Sequence, residues 1–267
     1  MNKFFFLSLF LIILTKTISL SQAIETKKIE LRKIEQEIIK QGEVFEYKIK
    51  WGFIPVGYAK MYIKNDTVII NNQEVIVAIS EAWTAPYFDP VYKVRDSVQS
   101  FIDKEGFFSW KYIIIQREGP FLKDEIINYF YNENKFNREV KKYKKEYKEF
   151  REEYPLNELI QDPLSCLYWT RLQQLKKGEK ILVRTNSSDA IIDIEVDVKR
   201  YETIEVPAGK FNTIVVQPNL KGKETIFKNE GTLMIWFSND KYKIPVKMEG
   251  KIIIGSIKVY LTNYYLP

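Results

Sequence analysis

The sequence predicts a mainly β protein, α+β at the margin, in which antiparallel strands accompany one main helix at about residues 163–176. Three observations support this fold class. From residue 42 onward, apolar and polar residues alternate in short runs, which is typical of strands buried on one face. Gly- and Pro-containing turn sequences separate these runs. One stretch alone combines helical spacing with clear helix end signals, and 45% of the 267 residues are hydrophobic, enough for a sizeable core.

The first 23 residues have the pattern of a secretory signal peptide. Lys3 supplies a basic start, an apolar run extends from Phe4 to Leu14, and the small residues Ser21 and Ala23 precede the expected cleavage site. The apolar run is too short to rank as a membrane-spanning helix. Because no cysteine stands directly after the cleavage site, we expect no lipid anchor there. We therefore expect an exported protein of the periplasm or cell envelope.

Two further units are predicted behind this leader. In residues 24–41, Leu31, Ile34 and Ile38 recur at helical spacing among charged residues, so we expect a helical lead-in. Residues 42–267 then form a single β-rich domain.

The strands of this domain begin with a clear alternation. Phe45, Tyr47, Ile49 and Trp51 alternate with charged residues, which predicts a half-buried first strand. The same alternation predicts a second strand through Met61 and a third from Val75. Further strands are predicted at residues 92–102, 107–117, 124–132, 180–185, 190–199, 202–207, 211–217, 224–228, 231–238, 244–250 and 252–261.

Residues 138–154 allow two interpretations. Val140, Tyr143, Tyr147 and Phe150 step by three and four, which fits a helix. The stretch is also charged enough to be an exposed hairpin arm, and both of its flanks are β-like. We prefer the strand interpretation.

The main helix has a defined start. Asp162 is a good N-cap, Pro163 suits the first helical position, and Gly178 follows the expected end. One face carries Leu164, Leu167, Tyr168, Arg171, Leu172 and Leu175. The opposite side is not cleanly polar, because Cys166 and Trp169 lie there. A helix that is apolar nearly all round is expected to be buried on more than one side.

The composition excludes the commonest catalytic systems. The chain has no histidine and a single cysteine, which removes Ser-His and Cys-His nucleophiles and the commonest metal ligand. The sequence contains no nucleophile elbow, phosphate loop or dinucleotide loop. The net charge of +6 is mild, and its basic residues are interleaved with glutamates. We expect a non-enzymatic protein with no cofactor, no metal and no nucleic-acid partner.

Two groups of residues are candidate sites. Aromatic residues at strand ends and in the Pro-rich stretch 85–90 are candidates to line the mouth of a cavity for an apolar ligand, with Trp169 facing the same cavity; ordinary core packing is the alternative. The aromatic candidates are Trp51, Phe53, Trp83, Tyr87, Phe88 and Tyr92. Arg95 and Asp96 are adjacent on one strand and point to opposite faces, so we expect a structural polar network with a partner such as Asp240 or Arg117.

Several segments together resemble the DUF3108 family of exported bacterial proteins of unknown function, in their order and spacing from about Gly42 to Leu261. The segments are Gly42-Glu43 with Trp51 and Ile54-Pro55-Val56-Gly57, Tyr92 to Asp96 with Ser100, Asp162 to Ser165, Glu202 to Gly209 with Phe211, Trp236 to Asp240, Ile244-Pro245-Val246, and Ile254-Gly255-Ser256. By analogy, such chains resemble the curved half-barrels of envelope lipoprotein carriers. The resemblance thus implies a large curved sheet or half-barrel with the helix packed in or against it.

The leading hypothesis is a non-enzymatic envelope protein that binds a lipid or another apolar small molecule in the concavity of a curved sheet. The first alternative is a structural or interaction module with a closed core, whose partners are other envelope proteins. The second is a hydrolase that uses carboxylates, for which the acidic residues of the chain offer many pairs. Peripheral contact with a membrane is compatible with the mild positive charge.

Overall fold

The structure is a computed structural model that describes residues 28–143, 146–219, 233–251 and 255–267. Within these residues it contains fifteen strands and one helix. In chain order they are β1 Val44–Trp51, β2 Ile54–Ile63, β3 Val68–Ile70, β4 Gln73–Thr84, β5 Arg95–Asp103, β6 Ser109–Glu118, β7 Phe121–Phe130, β8 Lys135–Tyr143, β9 Tyr147–Pro155, α1 Pro163–Leu172, β10 Lys180–Ser187, β11 Ala190–Val206, β12 Gly209–Asn219, β13 Leu233–Ser238, β14 Pro245–Lys251 and β15 Ser256–Tyr265. The predicted signal peptide and the predicted strand at 224–228 lie outside the described residues.

All fifteen strands belong to one antiparallel sheet in the order β10-β11-β12-β13-β14-β15-β1-β2-β4-β5-β6-β7-β8-β9, with the short β3 beside β4. β15 pairs with β1, so the two ends of the β-rich region meet in the middle of the sheet. The curved sheet is not closed, because β10 and β9 lie at its ends. The chain crosses between these ends, where a parallel bridge joins Gln161 to Thr185 of β10. The predicted mainly β fold, with a large curved sheet and one main helix, is confirmed.

The alternation that predicts the strands also sets their faces. In β1, Phe45 and Tyr47 are fully buried, while the residues between them point to the opposite face. In β11, Ile194, Val196 and Val198 are buried. The predicted strands 190–199 and 202–207 form this one long strand, because a bulge after Val198 restores the pairing with β12.

The described residues of 138–154 belong to the paired strands β8 and β9, as preferred from the sequence. β8 and β9 pair in register, with Val140 opposite Phe150. The ring of Phe136 stacks on that of Tyr154 with centroids 5.0 Å apart. The period of three and four in this stretch therefore does not mark a helix.

The helical lead-in at 24–41 is wrong for its described part. Residues 28–40 contain no helix; instead Ile29 and Ile39 are buried in the core. Arg32 donates from Nε to the carbonyl of Gly106 at 2.6 Å and from Nη2 to the carbonyl of Phe107 at 2.7 Å. Contacts with distant strands outweigh the weak local helical preference.

Helix α1 begins as predicted but ends earlier. Its last residue is Leu172 rather than 176, and Gln173 is already extended. The chain leaves the helix because Leu175 is buried in the second core cluster described below, and the N–H of Gly178 pairs with the carbonyl of Val198.

Two apolar clusters lie on opposite sides of α1. The larger one contains Phe45, Tyr47 and Tyr168 together with aromatic residues of β6 to β8. The smaller one contains Cys166 and Leu175 with apolar residues of β10 to β13. Burial of α1 on more than one side, predicted from its sequence, is confirmed.

Candidate apolar pocket at one end of the sheet

An apolar cavity of about 220 Å³ opens at the rim of the sheet, where the central strands β1, β2 and β4 meet their loops; we call it the aromatic pocket. It is formed by the β1–β2 hairpin, the end of β4, the start of β15 and the loop 85–94. Because Ile49 is two residues from Tyr47 in β1, the pocket lies on the core face of the sheet. It is lined by Ile49, Trp51, Val56, Gly57, Ala82, Trp83, Thr84, Phe88, Tyr92, Val94 and Ile257.

Four of the six aromatic candidates come together here. Trp51, Trp83, Phe88 and Tyr92 contribute to the lining. The other two are at the surface beside it. Phe53 is 88% exposed at the tip of the β1–β2 hairpin, and the Tyr87 hydroxyl donates to the carbonyl of Pro55 at 2.9 Å.

A polar network holds the loop 85–94 in place. Arg95 donates to both carboxylate oxygens of Asp89, at 3.0 and 2.6 Å, and Thr84 Oγ1 donates to Asp89 Oδ1 at 2.5 Å. The N–H of Val94 donates to Thr84 Oγ1 at 3.0 Å. The hydrogen bonds from Arg95 and Thr84 lower the pKa of Asp89. The network fastens both ends of the loop, from which Phe88 and Tyr92 contribute to the pocket lining.

Close packing of β2 against β4 forms the floor of the pocket. A Cβ added to Gly57 would lie 2.3 Å from the carbonyl oxygen of Trp83 and 3.0 Å from the Cα of Thr84. These neighbours are backbone atoms, which cannot move aside like a flexible side chain. The glycine of the Ile54-Pro55-Val56-Gly57 segment is therefore needed for the close approach of the two strands.

The predicted grouping of Arg95, Asp96 and Asp240 is not found. Arg95 binds Asp89, a partner not foreseen. Asp96 accepts from the backbone N–H of Arg117 at 2.8 Å on the β5–β6 pair, so Arg117, one of the two predicted partners, is found beside it. Asp240 instead accepts from the N–H groups of Tyr242 and Lys243 in the β13–β14 turn. The three residues fail to meet because a short turn-forming Asp bonds its own loop more readily than a distant strand.

Trp169 does not face the aromatic pocket. Its ring lies 6.2 Å from that of Phe107, and the guanidinium of Arg32 stacks over it at 4.1 Å. It thus holds the extended N-terminal segment against α1.

A second apolar cavity, of about 180 Å³, lies between α1 and strands β11 to β13; we call it the helix cavity. Cys166, Leu167 and Thr170 of α1 line it together with Phe237 and other apolar residues of these strands. Burial raises the pKa of the Cys166 thiol to about 12, so this thiol stays protonated and unreactive.

A buried ion pair fixes the inner face of α1. Arg171 Nη1 lies 2.5 Å from Glu43 Oε1 and Nη2 lies 3.1 Å from Oε2. Arg171 Nε also donates to the carbonyl of Tyr242 at 3.2 Å. Both side chains are fully buried. Sequence reasoning missed this pair, although an arginine among leucines on a helix face needs a buried carboxylate.

Asp162 does more than cap the helix. Its Oδ1 accepts from the N–H groups of Leu164 and Ser165 at 2.9 and 2.8 Å, which confirms the N-cap. Its Oδ2 accepts from Ser109 Oγ at 2.6 Å and from Ser100 Oγ. Burial raises the pKa of Asp162, and these hydrogen bonds oppose the rise. The start of α1 is thereby bound to β5 and β6.

Neither a metal-ion site nor a membrane-spanning helix is found in the part of the chain that the structure describes. No group of three or more Asp, Glu or Cys side chains there is placed to hold a metal ion. No helix among these residues is long and apolar enough to cross a membrane.

The open, curved antiparallel sheet around one helix places the protein among β-barrel-like folds. The chain belongs to the DUF3108 family, a family of proteins of unknown function, whose pattern matches residues 46–262. No curated protein matches the chain.

Solved structures of other proteins align with most of this chain. A β-barrel-like protein with a domain of unknown function, DUF1849, from Brucella abortus aligns with a TM-score of 0.53 at 10% identity, over 86% of this chain and 100% of that one. A candidate lipoprotein from Parabacteroides distasonis aligns with a TM-score of 0.38 at 14% identity, over 85% and 96% of the two chains. The first similarity supports the fold alone.

Proposed function

We propose that this protein is an exported, non-enzymatic binding protein that holds a lipid-like apolar group in its aromatic pocket. The observation that carries the proposal is the convergence of Trp51, Trp83, Phe88 and Tyr92 on one apolar cavity that opens at the rim of the sheet. Binding sites for small molecules are typically concave and lined by apolar and aromatic side chains.

The size of the pocket narrows the ligand class. An apolar cavity of about 150 Å³ holds a benzene molecule, whereas drug-sized ligands occupy at least about 300 Å³. At about 220 Å³, the aromatic pocket fits the end of an acyl chain or one aromatic group rather than a whole lipid. The remaining part of the ligand would extend past the exposed Phe53 and Tyr87.

A specific observation also favours the alternative of an interaction module with a closed core. The centre of the concavity is filled by α1, its two apolar clusters and the Glu43–Arg171 pair. Under this alternative, the aromatic pocket receives an apolar side chain of an envelope protein instead of a lipid.

Filling the pocket tests the proposal. Ala82 lines the aromatic pocket, so Ala82→Leu should weaken binding of the fluorescent apolar probe N-phenyl-1-naphthylamine by about tenfold, because the added carbons occupy the binding volume. Cys166→Leu fills the helix cavity in the same way and serves as the matched control. Probe titration of both variants and the parent, with melting curves to check folding, measures the effect.

The titration has outcomes that would reject the proposal. If the parent binds no probe, the interaction module is favoured. If Cys166→Leu abolishes binding and Ala82→Leu does not, the helix cavity is the site. Native mass spectrometry of the protein purified from the envelope would then identify any co-purifying lipid.

A further inference from the structure

We propose that the exposed apolar surface around the mouth of the aromatic pocket docks on an anionic lipid bilayer. We call it the mouth surface and define it by Phe53, Ile54, Tyr87, Val91 and Tyr92. The inference goes beyond ligand binding in the pocket and does not depend on it.

The mouth surface is formed by residues of unusually high exposure on two adjoining loops. Phe53 is 88% exposed, Val91 71% and Tyr87 63%. They come from two loops that are joined by hydrogen bonds, from the Tyr87 hydroxyl to the carbonyl of Pro55 and from the N–H of Ala85 to the carbonyl of Val56. Single exposed apolar residues are ordinary, but a cluster of them marks an interaction site.

The residue types suit the boundary between lipid and water. Tyr and Trp rings prefer this boundary because one end of each ring is apolar and the other forms hydrogen bonds. Tyr87 and Tyr92 both donate their hydroxyls to backbone carbonyls, while Phe53 projects from the hairpin tip with no polar group. The arrangement presents Phe53 as the part that enters deepest.

The charge of the same two loops selects an anionic partner. The hairpin end and the loop 85–94 carry Lys50 and Lys93, and Arg95 follows the loop directly; the one carboxylate of these segments is Asp89. That carboxylate is paired with Arg95. Lys93 is exposed between Tyr92 and Val94. Anionic headgroups attract such basic residues, and the attraction weakens with salt.

Vesicle sedimentation tests the inference. The full chain is expressed with its leader, purified from the envelope as the cell processes it, and mixed with sucrose-loaded vesicles of phosphatidylcholine and phosphatidylglycerol at 3:1. Phe53→Ser should reduce the partition coefficient at least about fivefold, since its ring supplies much of the apolar contact. Tyr265→Ser, at a 60% exposed aromatic residue in the last strand, is the matched control and should change it less than twofold.

The charge contribution is measured separately. Lys93→Glu should weaken binding to the anionic vesicles more than binding to pure phosphatidylcholine, and added salt should reduce that difference. Equal losses for Phe53→Ser and Tyr265→Ser, or no parent binding to anionic vesicles, would overturn the inference. So would a Phe53-dependent dimer seen by analytical ultracentrifugation without vesicle binding. If Phe53→Ser loses vesicle binding but still binds the probe in the pocket, membrane docking and ligand binding are independent of each other.

Discussion

Buried polar residues, together with the two apolar clusters, determine how α1 is fixed in the sheet. Arg171 forms two hydrogen bonds with Glu43, and Asp162 joins the helix start to Ser100 and Ser109. Each of these groups is desolvated, so each depends on its partner. The arrangement anchors the two ends of a ten-residue helix that is too short to be stable alone.

Removing one partner of the buried ion pair should be strongly destabilising. Arg171→Met leaves the Glu43 carboxylate buried without its guanidinium, so the free energy of unfolding should fall by about 3–5 kcal/mol. Urea denaturation measures the change. The double variant with Glu43→Gln should regain part of this loss, because no unpaired buried charge remains. A loss in the double variant equal to that of Arg171→Met would contradict the explanation.

Asp96 should make stability depend on pH. Burial raises its pKa to about 6, with a contribution from Glu118, while the N–H of Arg117 opposes the rise. The folded state therefore holds this proton more tightly than the unfolded state, whose pKa is about 3.9. Stability from this group is present at low pH and is lost as the pH rises from about 4 to about 6.

Asp96→Asn removes this dependence and keeps an acceptor for Arg117. The melting temperature of the variant relative to the parent should thus increase between pH 4 and pH 7. Glu149→Gln, in the exposed edge strand β9, is the control, because Tyr147 lowers the pKa of this carboxyl whereas burial raises that of Asp96. A constant difference for Asp96→Asn across this range would show that Asp96 titrates normally.

At the scale of elements, the β1–β2 hairpin can pack closely against β4 because Gly57 has no side chain. Gly57→Ala should lower the free energy of unfolding by about 1–3 kcal/mol, because its Cβ would overlap the backbone of β4. Gly52 has no neighbour within 4 Å of an added Cβ but has φ +59°, so Gly52→Ala should cost about 1 kcal/mol or less. Chemical denaturation of both variants separates a steric effect from a backbone effect. If Gly52→Ala lowered the free energy of unfolding more than Gly57→Ala, the steric explanation for Gly57 would be contradicted.

The elements that sequence reasoning predicted best are those with local signals. Asp162 and Pro163 define the helix start through bonds within one turn, and the period of two in β1 reflects one buried face. The predictions of a helical lead-in at 28–40 and of the helix end at 176 were wrong, because Arg32 and Leu175 are held by residues distant in sequence. Of the candidate residues, four strand-end aromatics line one pocket, whereas Trp169 and Asp240 face other neighbours.

At the scale of the whole molecule, the sheet is open, and its two edge strands β9 and β10 differ in their surroundings. β9 is exposed along most of its length and carries charged residues such as Lys148 and Arg151, which discourage pairing with another chain. β10 is bridged by Gln161. Helix α1 divides the apolar volume into two clusters, so the proposed ligand site lies at the periphery of the concavity.

The processing of the chain remains a prediction at this scale. A cut after Ala23 should give a mature protein that begins at Ile24, because Ser21 and Ala23 have the small side chains that signal peptidase sites require. N-terminal sequencing of the envelope fraction measures this. Ala23→Arg should block cleavage. An intact Met1 in the parent would indicate an uncleaved anchor instead.

The sequence by itself determined the β class, the start of α1, the hairpin at 138–154 and the family, because these depend on periodicity, capping and turn chemistry within short windows. The tertiary structure decided the partners of Arg171 and Trp169 and the path of residues 28–40. It also placed Trp51 and Phe88 in the lining of one pocket. These contacts join residues far apart in the chain, and their energies depend on burial and on exact neighbours, which local patterns do not encode.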